Sequence, residues 1–240
     1  MAFYEHTFQI GLRDVGISNE ITNKAILGYF EDIGGLHSDE VGYGLKNIEQ
    51  THLTWILLHW KMQVLKRVKY GEKITIKTWS RYSQKFYSYR DYEMYNESGE
   101  LVVIATSKWA LIHIDKGLTR IDEELINQYK PDSKSVFHTL EVEKIKEPST
   151  FSNRYACNVL RSHIDVNHHM HNLCYLDLAY EALPEAVYLH TNFSYVEIMY
   201  KKEAKLGDEL ICLYEQIENT HYITIKSKDE KQLHAIVKLQ

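Results

Sequence analysis

Alternation of apolar and polar positions dominates the chain. In Lys73-Ile74-Thr75-Ile76-Lys77-Thr78-Trp79 every second residue is apolar or β-branched, the pattern of a strand with one face on a core. Leu101 to Ile114 is a second strand-like run. Asn96-Glu97-Ser98-Gly99-Glu100 before it reads as a hairpin loop, whose other arm is Phe86 to Tyr95. Asn219 and Lys228-Asp229-Glu230-Lys231 punctuate the last strands in the same way. Two segments have helical spacing instead. One runs from about Thr22 to Ile33, with Ala25, Ile26, Tyr29, Phe30 and Ile33 on one face, Asn19 or Thr22 as cap, and Gly34-Gly35 as a stop. The other runs from about His169 to Leu183, with Leu173, Leu176, Ala179 or Tyr180 and Leu183 before Pro184, and Asp165 or Asn167 as cap.

The two halves carry a weak internal repeat. GYFEDIGGLH aligns with CYLDLAYEALPE at an offset of 146 (Tyr29 with Tyr175), and VLKRVKYGEKITIKTW with IMYKKEAKLGDELICLYE at an offset of 136 (Gly71 with Gly207). Each copy is then a helix followed by antiparallel strands. The fold class expected is α+β, a tandem or double hot dog with a long helix packed on a curved antiparallel sheet in each repeat. Residues 1–130 form the first repeat, 131–150 a charged connector and 151–240 the second repeat.

Composition narrows the function classes. The 240 residues are 44% hydrophobic and 25% charged, an ordinary globular balance. A formal charge of −5 argues against a bulk nucleic-acid binder. The most apolar stretch, Leu53 to Leu58 inside THLTWILLHW, is far shorter than the roughly 20 residues a membrane-spanning helix needs. Glu5 stands where a secretory leader wants positive charge, and no apolar core region follows it, so a cytoplasmic location is expected. Cys157, Cys174 and Cys212 are odd in number and lack CxxC spacing, which fits reduced, mostly buried thiols.

The stretch richest in chemistry is Arg161-Ser162-His163-Ile164-Asp165-Val166-Asn167-His168-His169-Met170-His171-Asn172-Leu173-Cys174-Tyr175. Asp165-x-Asn167-x-His169, followed by Asn172 and Tyr175, resembles the signature of hot-dog thioesterases, specifically the acyl-ACP thioesterases of plants and bacteria. Trp55, Thr78-Trp79, Arg90-Asp91-Tyr92 and Ala105-Thr106-Ser107-Lys108-Trp109 resemble that family's first repeat, and Met199-Tyr200-Lys201-Lys202-Glu203 its segment with a further catalytic glutamate. Two departures stand out. Met170-His171 separate His169 from Asn172, where the family commonly has valine directly before the asparagine. Ala204 occupies a place that is cysteine in some plant members, so no thiol nucleophile is available there.

The resemblance implies hydrolysis of fatty acyl-ACP, with release of free fatty acid and carrier. Such a reaction needs a nucleophile, a base for its proton and donors aimed at the developing oxyanion. Asn167 can orient a carbonyl or a water, and histidine, here His169, is the side chain that moves a proton near neutral pH. Two schemes stay open for the carboxylates. Glu203 activates water while Asp165 fixes Asn167 and His169, or Asp165 attacks the thioester and Glu203 assists turnover. By the repeat offsets, Asp165, Asn167, His169 and Glu203 face Asn19, Ile21, Asn23 and Arg67. One catalytic centre per chain is therefore expected, in the second repeat. The first repeat would offer an apolar acyl pocket through Trp55, Leu57 and Trp79, and Asn172 and Tyr175 would also touch substrate.

No cofactor and no metal is expected, although His163, His168, His169 and His171 invite a metal reading. The expected partner is acyl carrier protein with a phosphopantetheine-linked acyl chain, docked through Lys66 and Arg67 of a basic run. Oligomeric state stays open, a homodimer included. The alternatives are an acyl-CoA thioesterase and a non-catalytic acyl-binding or regulatory hot-dog protein.

Overall fold

The alternating runs are strands in the computed structural model, which describes residues 3–240. Contacts divide the chain into two units, Met1–Val142 and Glu143–Gln240. In the first unit the strands are β1 (Tyr4–Gln9), β2 (Leu53–Val64), β3 (Lys73–Gln84), β4 (Tyr87–Asn96), β5 (Leu101–His113) and the short β6 (Gly117–Leu118), with helices α1 (Asn23–Glu40), α2 (Ile48–Thr51) and α3 (Glu123–Tyr129). The strand order is β1-β3-β4-β5-β2, with β6 beside β5, and every pairing within the unit is antiparallel. The second unit holds β7 (Asn153–Asn158), α4 (Asn172–Glu181), α5 (Glu185–His190), β8 (Tyr195–Tyr200), β9 (Glu209–Ile217), β10 (Thr220–Ser227) and β11 (Leu233–Leu239). Its order, β7-β9-β10-β11-β8, is the first unit's order strand for strand. The tandem hot dog expected from the sequence is the fold.

The hairpin loop at Asn96–Glu100 forms as expected. Gly99 has φ +77°, a region open to glycine without strain, and the Asn96 carboxamide accepts the Ser98 and Glu100 N–H groups. In the core of the first unit Phe30 of α1 stacks on Tyr92 at 4.8 Å and leans on Trp60, all three completely buried. In the second unit Leu176 and Ala179 of α4 and Val196, Ile198, Leu213, Ile223 and Val237 of its strands are completely buried.

Both helices depart from expectation. The first does not stop at Gly34-Gly35 but runs to Glu40. Gly34 is buried, and a Cβ there would lie 3.3 Å from the Tyr92 hydroxyl; the residue is small so that the helix can approach β4, which is a packing requirement and not a break. Thr22 is the cap, accepting the Ala25 N–H at 3.1 Å. The second helix is neither long nor started at His169. It spans Asn172–Glu181, capped by the His171 imidazole through the Leu173 N–H at 3.2 Å, not by Asp165 or Asn167. It ends early because Pro184 disfavours helical backbone at Leu183 and itself caps α5.

Much of residues 131–142 is bound into the first unit. The Trp79 indole donates to the Lys134 carbonyl at 3.0 Å, the Val136 N–H to Asp91 at 2.9 Å, and Arg81 to Ser135, Thr139 and Leu140. The Arg81 guanidinium lies 3.4 Å from the carboxylate of Asp91, and both are buried. Burial raises the Asp91 carboxyl above its ordinary range, and Arg81 opposes the shift.

Candidate active site

The segment richest in chemistry lies between β7 and α4. A 3-10 turn at Arg161–His163 leads into an isolated antiparallel bridge between Ile164 and Met170. Between the bridged residues the chain makes a tight turn. The Asp165 N–H donates to the His169 carbonyl at 2.9 Å, the His168 N–H donates to the Asp165 carbonyl at 3.1 Å, and His168 takes φ +62°. The Asp165 carboxylate holds this turn from inside. Its Oδ1 accepts the Asn167 N–H at 2.8 Å and the His169 N–H at 3.3 Å, while its Oδ2 accepts the Asn167 side-chain amide at 3.4 Å. Asp165, Asn167 and His169 are thus one hydrogen-bonded unit. Asn167 is exposed, and Asp165 and His169 are half-buried.

The segment after β8 that carries Glu203 runs beside this turn. The Met170 N–H donates to the Ala204 carbonyl at 2.8 Å, which sets residue 203 beside the peptide that follows His169. The Ala204 N–H donates to the Tyr175 hydroxyl at 3.0 Å. Tyr175 is 2% exposed. Burial lifts its phenol to about 12, the Ala204 N–H pulls the other way, and the Glu203 charge adds to the rise, so the hydroxyl keeps its proton at neutral pH. On the far side of Glu203 the buried His234 imidazole, Nδ1, lies 2.9 Å from the Lys202 carbonyl. A carbonyl only accepts, so Nδ1 carries the proton. The turn that carries Asp165, Asn167 and His169 and the backbone beside Glu203 therefore lie alongside each other, and two residues whose part the sequence did not disclose hold that backbone: His234 was not singled out, and Tyr175 was expected to touch substrate. A polar residue at a core-facing place in Leu233-His234-Ala235-Ile236-Val237 was the available signal.

The remaining expected residues lie as follows. Asn172 opens α4 and its carbonyl accepts the Tyr200 hydroxyl at 3.1 Å. Trp55 is half-buried, its indole donating to the Tyr129 hydroxyl at 3.1 Å; Leu57 is buried, and Trp79 wholly so. Lys66 pairs with Glu100 at 2.6 Å. Arg67 donates to the Ile21 carbonyl at 2.6 Å and to the Asn23 carboxamide at 2.9 Å, so its guanidinium is engaged within the first unit. Among the histidines, His163 and His171 accept backbone N–H groups through Nδ1. Among the described residues no three His, Cys, Asp or Glu side chains are grouped to hold a metal ion. Of the cysteines, all free thiols, only Cys212 is buried.

Hydrogen bonds give the repeat register directly. Gly16 N–H to Glu20 carbonyl, Asn19 N–H to Gly16 carbonyl and Thr22 N–H to Asp14 carbonyl recur at Asp165 and His169, His168 and Asp165, and His171 and His163. The offset here is 149 (for example 165 − 16), not 146. Downstream, Gly71 and Gly207 have φ +84° and +85°, and the Ile21 to Val68 bond matches Met170 to Ala204, an offset of 136. The second copy is therefore 13 residues shorter between these points. Asp165, Asn167 and His169 correspond to Gly16, Ser18 and Glu20, and Glu203 to Arg67. The first copy keeps the turn without the aspartate, amide and imidazole.

The family model described as the acyl-ACP thioesterase N-terminal domain matches residues 2–129, and the C-terminal domain model matches residues 146–239. A chloroplastic oleoyl-acyl carrier protein thioesterase of Coriandrum sativum is 21% identical over 226 residues, 85% of this chain and 60% of that protein. One from Arabidopsis thaliana is 21% identical over 223 residues, 85% of this chain and 61% of that protein. The chain thus spans about three fifths of the length of these curated relatives. Among solved structures, an acyl-ACP thioesterase of Bacteroides thetaiotaomicron superposes with a TM-score of 0.84 at 19% identity, covering 99% of this chain and 97% of the other. The 12:0-ACP thioesterase of Umbellularia californica gives 0.83 at 17%, covering 100% and 97%. With both domain models matched in order over nearly its whole length, the chain belongs to the acyl-ACP thioesterase family.

Proposed function

We propose that the protein hydrolyses fatty acyl-ACP: the thioester carbon–sulfur bond breaks, water supplies the hydroxyl of the released fatty acid, and the carrier leaves with a free thiol. The observation that carries this reading is the Asp165-Asn167-His169 turn tied through Met170 and Ala204 to the backbone beside Glu203. In this reading Glu203 activates the water and His169 moves the proton to the leaving thiolate. Asn167 orients the carbonyl, and the positive end of α4 favours the charge that develops on its oxygen. Asp165 acts as organiser and not as nucleophile, since its oxygens already accept the Asn167 and His169 N–H groups and the Asn167 amide.

The carrier named for the curated relatives supports ACP over CoA as the substrate's handle. The proposed compartment is the cytoplasm, and a homodimer is a further proposal, checked by sedimentation. No helix among the described residues is long and apolar enough to cross a membrane. The test is fatty acid release from a panel of acyl-ACPs of different chain lengths, with acyl-CoAs alongside. Release from acyl-ACP with the higher kcat/KM is expected. Equal or better turnover of acyl-CoA points to the alternative thioesterase, and no release from either points to a binding protein.

A further inference from the structure

The backbone around Glu203 is gripped on both sides. The His234 carbonyl accepts the N–H groups of Lys201 at 2.8 Å and Lys202 at 3.4 Å, and the His234 imidazole donates to the Lys202 carbonyl at 2.9 Å. On the other side, the Ala204 N–H donates to the Tyr175 hydroxyl and its carbonyl accepts the Met170 N–H. The peptide groups of both neighbours of Glu203 are thus fixed, while the Glu203 side chain is exposed.

The first unit serves as an internal control. Its Val102 carbonyl accepts the N–H groups of Leu65 at 2.8 Å and Lys66 at 3.1 Å, the same two-to-one bulge next to Arg67, the counterpart of Glu203. The bulge therefore belongs to the fold. The side-chain grips do not: valine stands where His234 stands, and Ile26, fully buried, stands where Tyr175 stands by the offset of 149. The imidazole and the phenol occur only in the copy that carries the carboxylate. A buried histidine and a buried tyrosine each cost desolvation that apolar residues avoid, and the apolar pair in the first copy shows that the fold itself does without them.

We propose that His234 and Tyr175 are positioning residues that aim the Glu203 carboxylate at the water it activates, by fixing the Lys202 and Ala204 peptides. This rests on the thioesterase reading above. The geometry predicts that loosening either grip lowers kcat and leaves KM for the acyl thioester nearly unchanged, because a base displaced by about 1 Å can cost on the order of a hundredfold in rate without altering ground-state binding.

The experiment compares His234→Val, the residue the first copy has there, with His234→Asn, whose amide can replace the Nδ1 donor, and with Tyr175→Phe. Each is assayed on acyl-ACP in the wild-type and Glu203→Ala backgrounds, with thermal unfolding as the check on folding. Expected are a 10- to 100-fold loss of kcat for His234→Val and for Tyr175→Phe, at least partial recovery in His234→Asn, and no further loss when His234→Val is added to Glu203→Ala. An equal loss in both backgrounds, wild-type turnover in His234→Val, or the same loss in His234→Asn as in His234→Val overturns the proposal. A wild-type protein that releases no fatty acid from any acyl thioester overturns the thioesterase reading instead, so the two failures are separable.

Discussion

Gly16–Asn23 in the first unit and Asp165–Asn172 in the second are the same piece of backbone used in two ways. Both make the tight turn, present a positive-φ residue at its corner, Asn19 or His168, and lead into a capped helix. In the second unit the corner is organised by a carboxylate and lies beside Glu203. In the first, Glu203 is replaced by Arg67, whose guanidinium closes on the Ile21 carbonyl and the Asn23 carboxamide. A fold that needs only the turn tolerates glycine where Asp165 stands. A site that needs a fixed amide and imidazole does not. Neighbouring side chains, and not backbone geometry, separate the copy proposed to react from the other.

The largest effects test that separation in the second unit. Asp165→Asn, His169→Ala and Glu203→Ala should each lower kcat on acyl-ACP by about 10²- to 10⁴-fold, the range of general acid–base contributions, with unfolding temperatures near wild type. Wild-type turnover in any two of them removes the assignment. In the first unit, Arg67→Glu places a carboxylate at the position matching Glu203. It should add no hydrolysis to a Glu203→Ala background and should cost about 3 kcal/mol in urea unfolding, because hydrogen bonds from a charged donor are lost. Lys66→Glu, which breaks a surface pair with Glu100, should leave the urea midpoint nearly unchanged, because exposed ion pairs contribute little. Equal costs for the two would show that Arg67 is not the internal strut.

Acid provides a milder test of the first unit. Burial, with the Arg90 guanidinium alongside, pushes the His37 imidazole down to about 3, and Arg90 donates to its neutral Nδ1 at 2.8 Å. An unfolded histidine titrates near 6.5. Between pH 6.5 and about 3 the unfolded chain therefore binds the extra proton. The His37 contribution should be intact above pH 6.5 and be lost progressively as the pH falls through that window. A His37→Asn variant should show a shallower decline in unfolding free energy; an unchanged slope would count against a neutral buried imidazole. The smallest effect lies within α1. A Cβ on Gly35 meets nothing within 4 Å, so Gly35→Ala should raise stability by about 0.5–1 kcal/mol. Gly34→Ala, pressed against Tyr92, should gain less; equal gains would mean that Gly34 is not needed for close approach.

Much of this was legible in the residues. Period-two alternation placed the strands, and Asp165-x-Asn167-x-His169 with Glu203 named the candidate site before any coordinates. The helix limits were not legible, because a glycine pair reads alike whether it ends a helix or lets one pack closely; only Tyr92 across the interface distinguishes the cases. The repeat offset in the turn was misread by three residues because local similarity near Tyr29 and Tyr175 outweighed the turn itself, whose identity lies in hydrogen bonds and not in side chains. Lys66 and Arg67 read as a basic patch, and a sequence does not show that Glu100 meets the first and the Ile21 carbonyl and Asn23 carboxamide the second.

The sequence by itself determined the strand and helix types, the two-copy plan, the family and the set of candidate site residues, since these follow from short-range periodicity and from residue chemistry at fixed spacing. Tertiary structure alone decided that His234 and Tyr175 hold the backbone beside Glu203, that Arg67 is an internal strut and that Gly34 is a contact. Each of those depends on a partner 29 to 58 residues away in the chain, and no local pattern encodes which distant group will meet a given side chain.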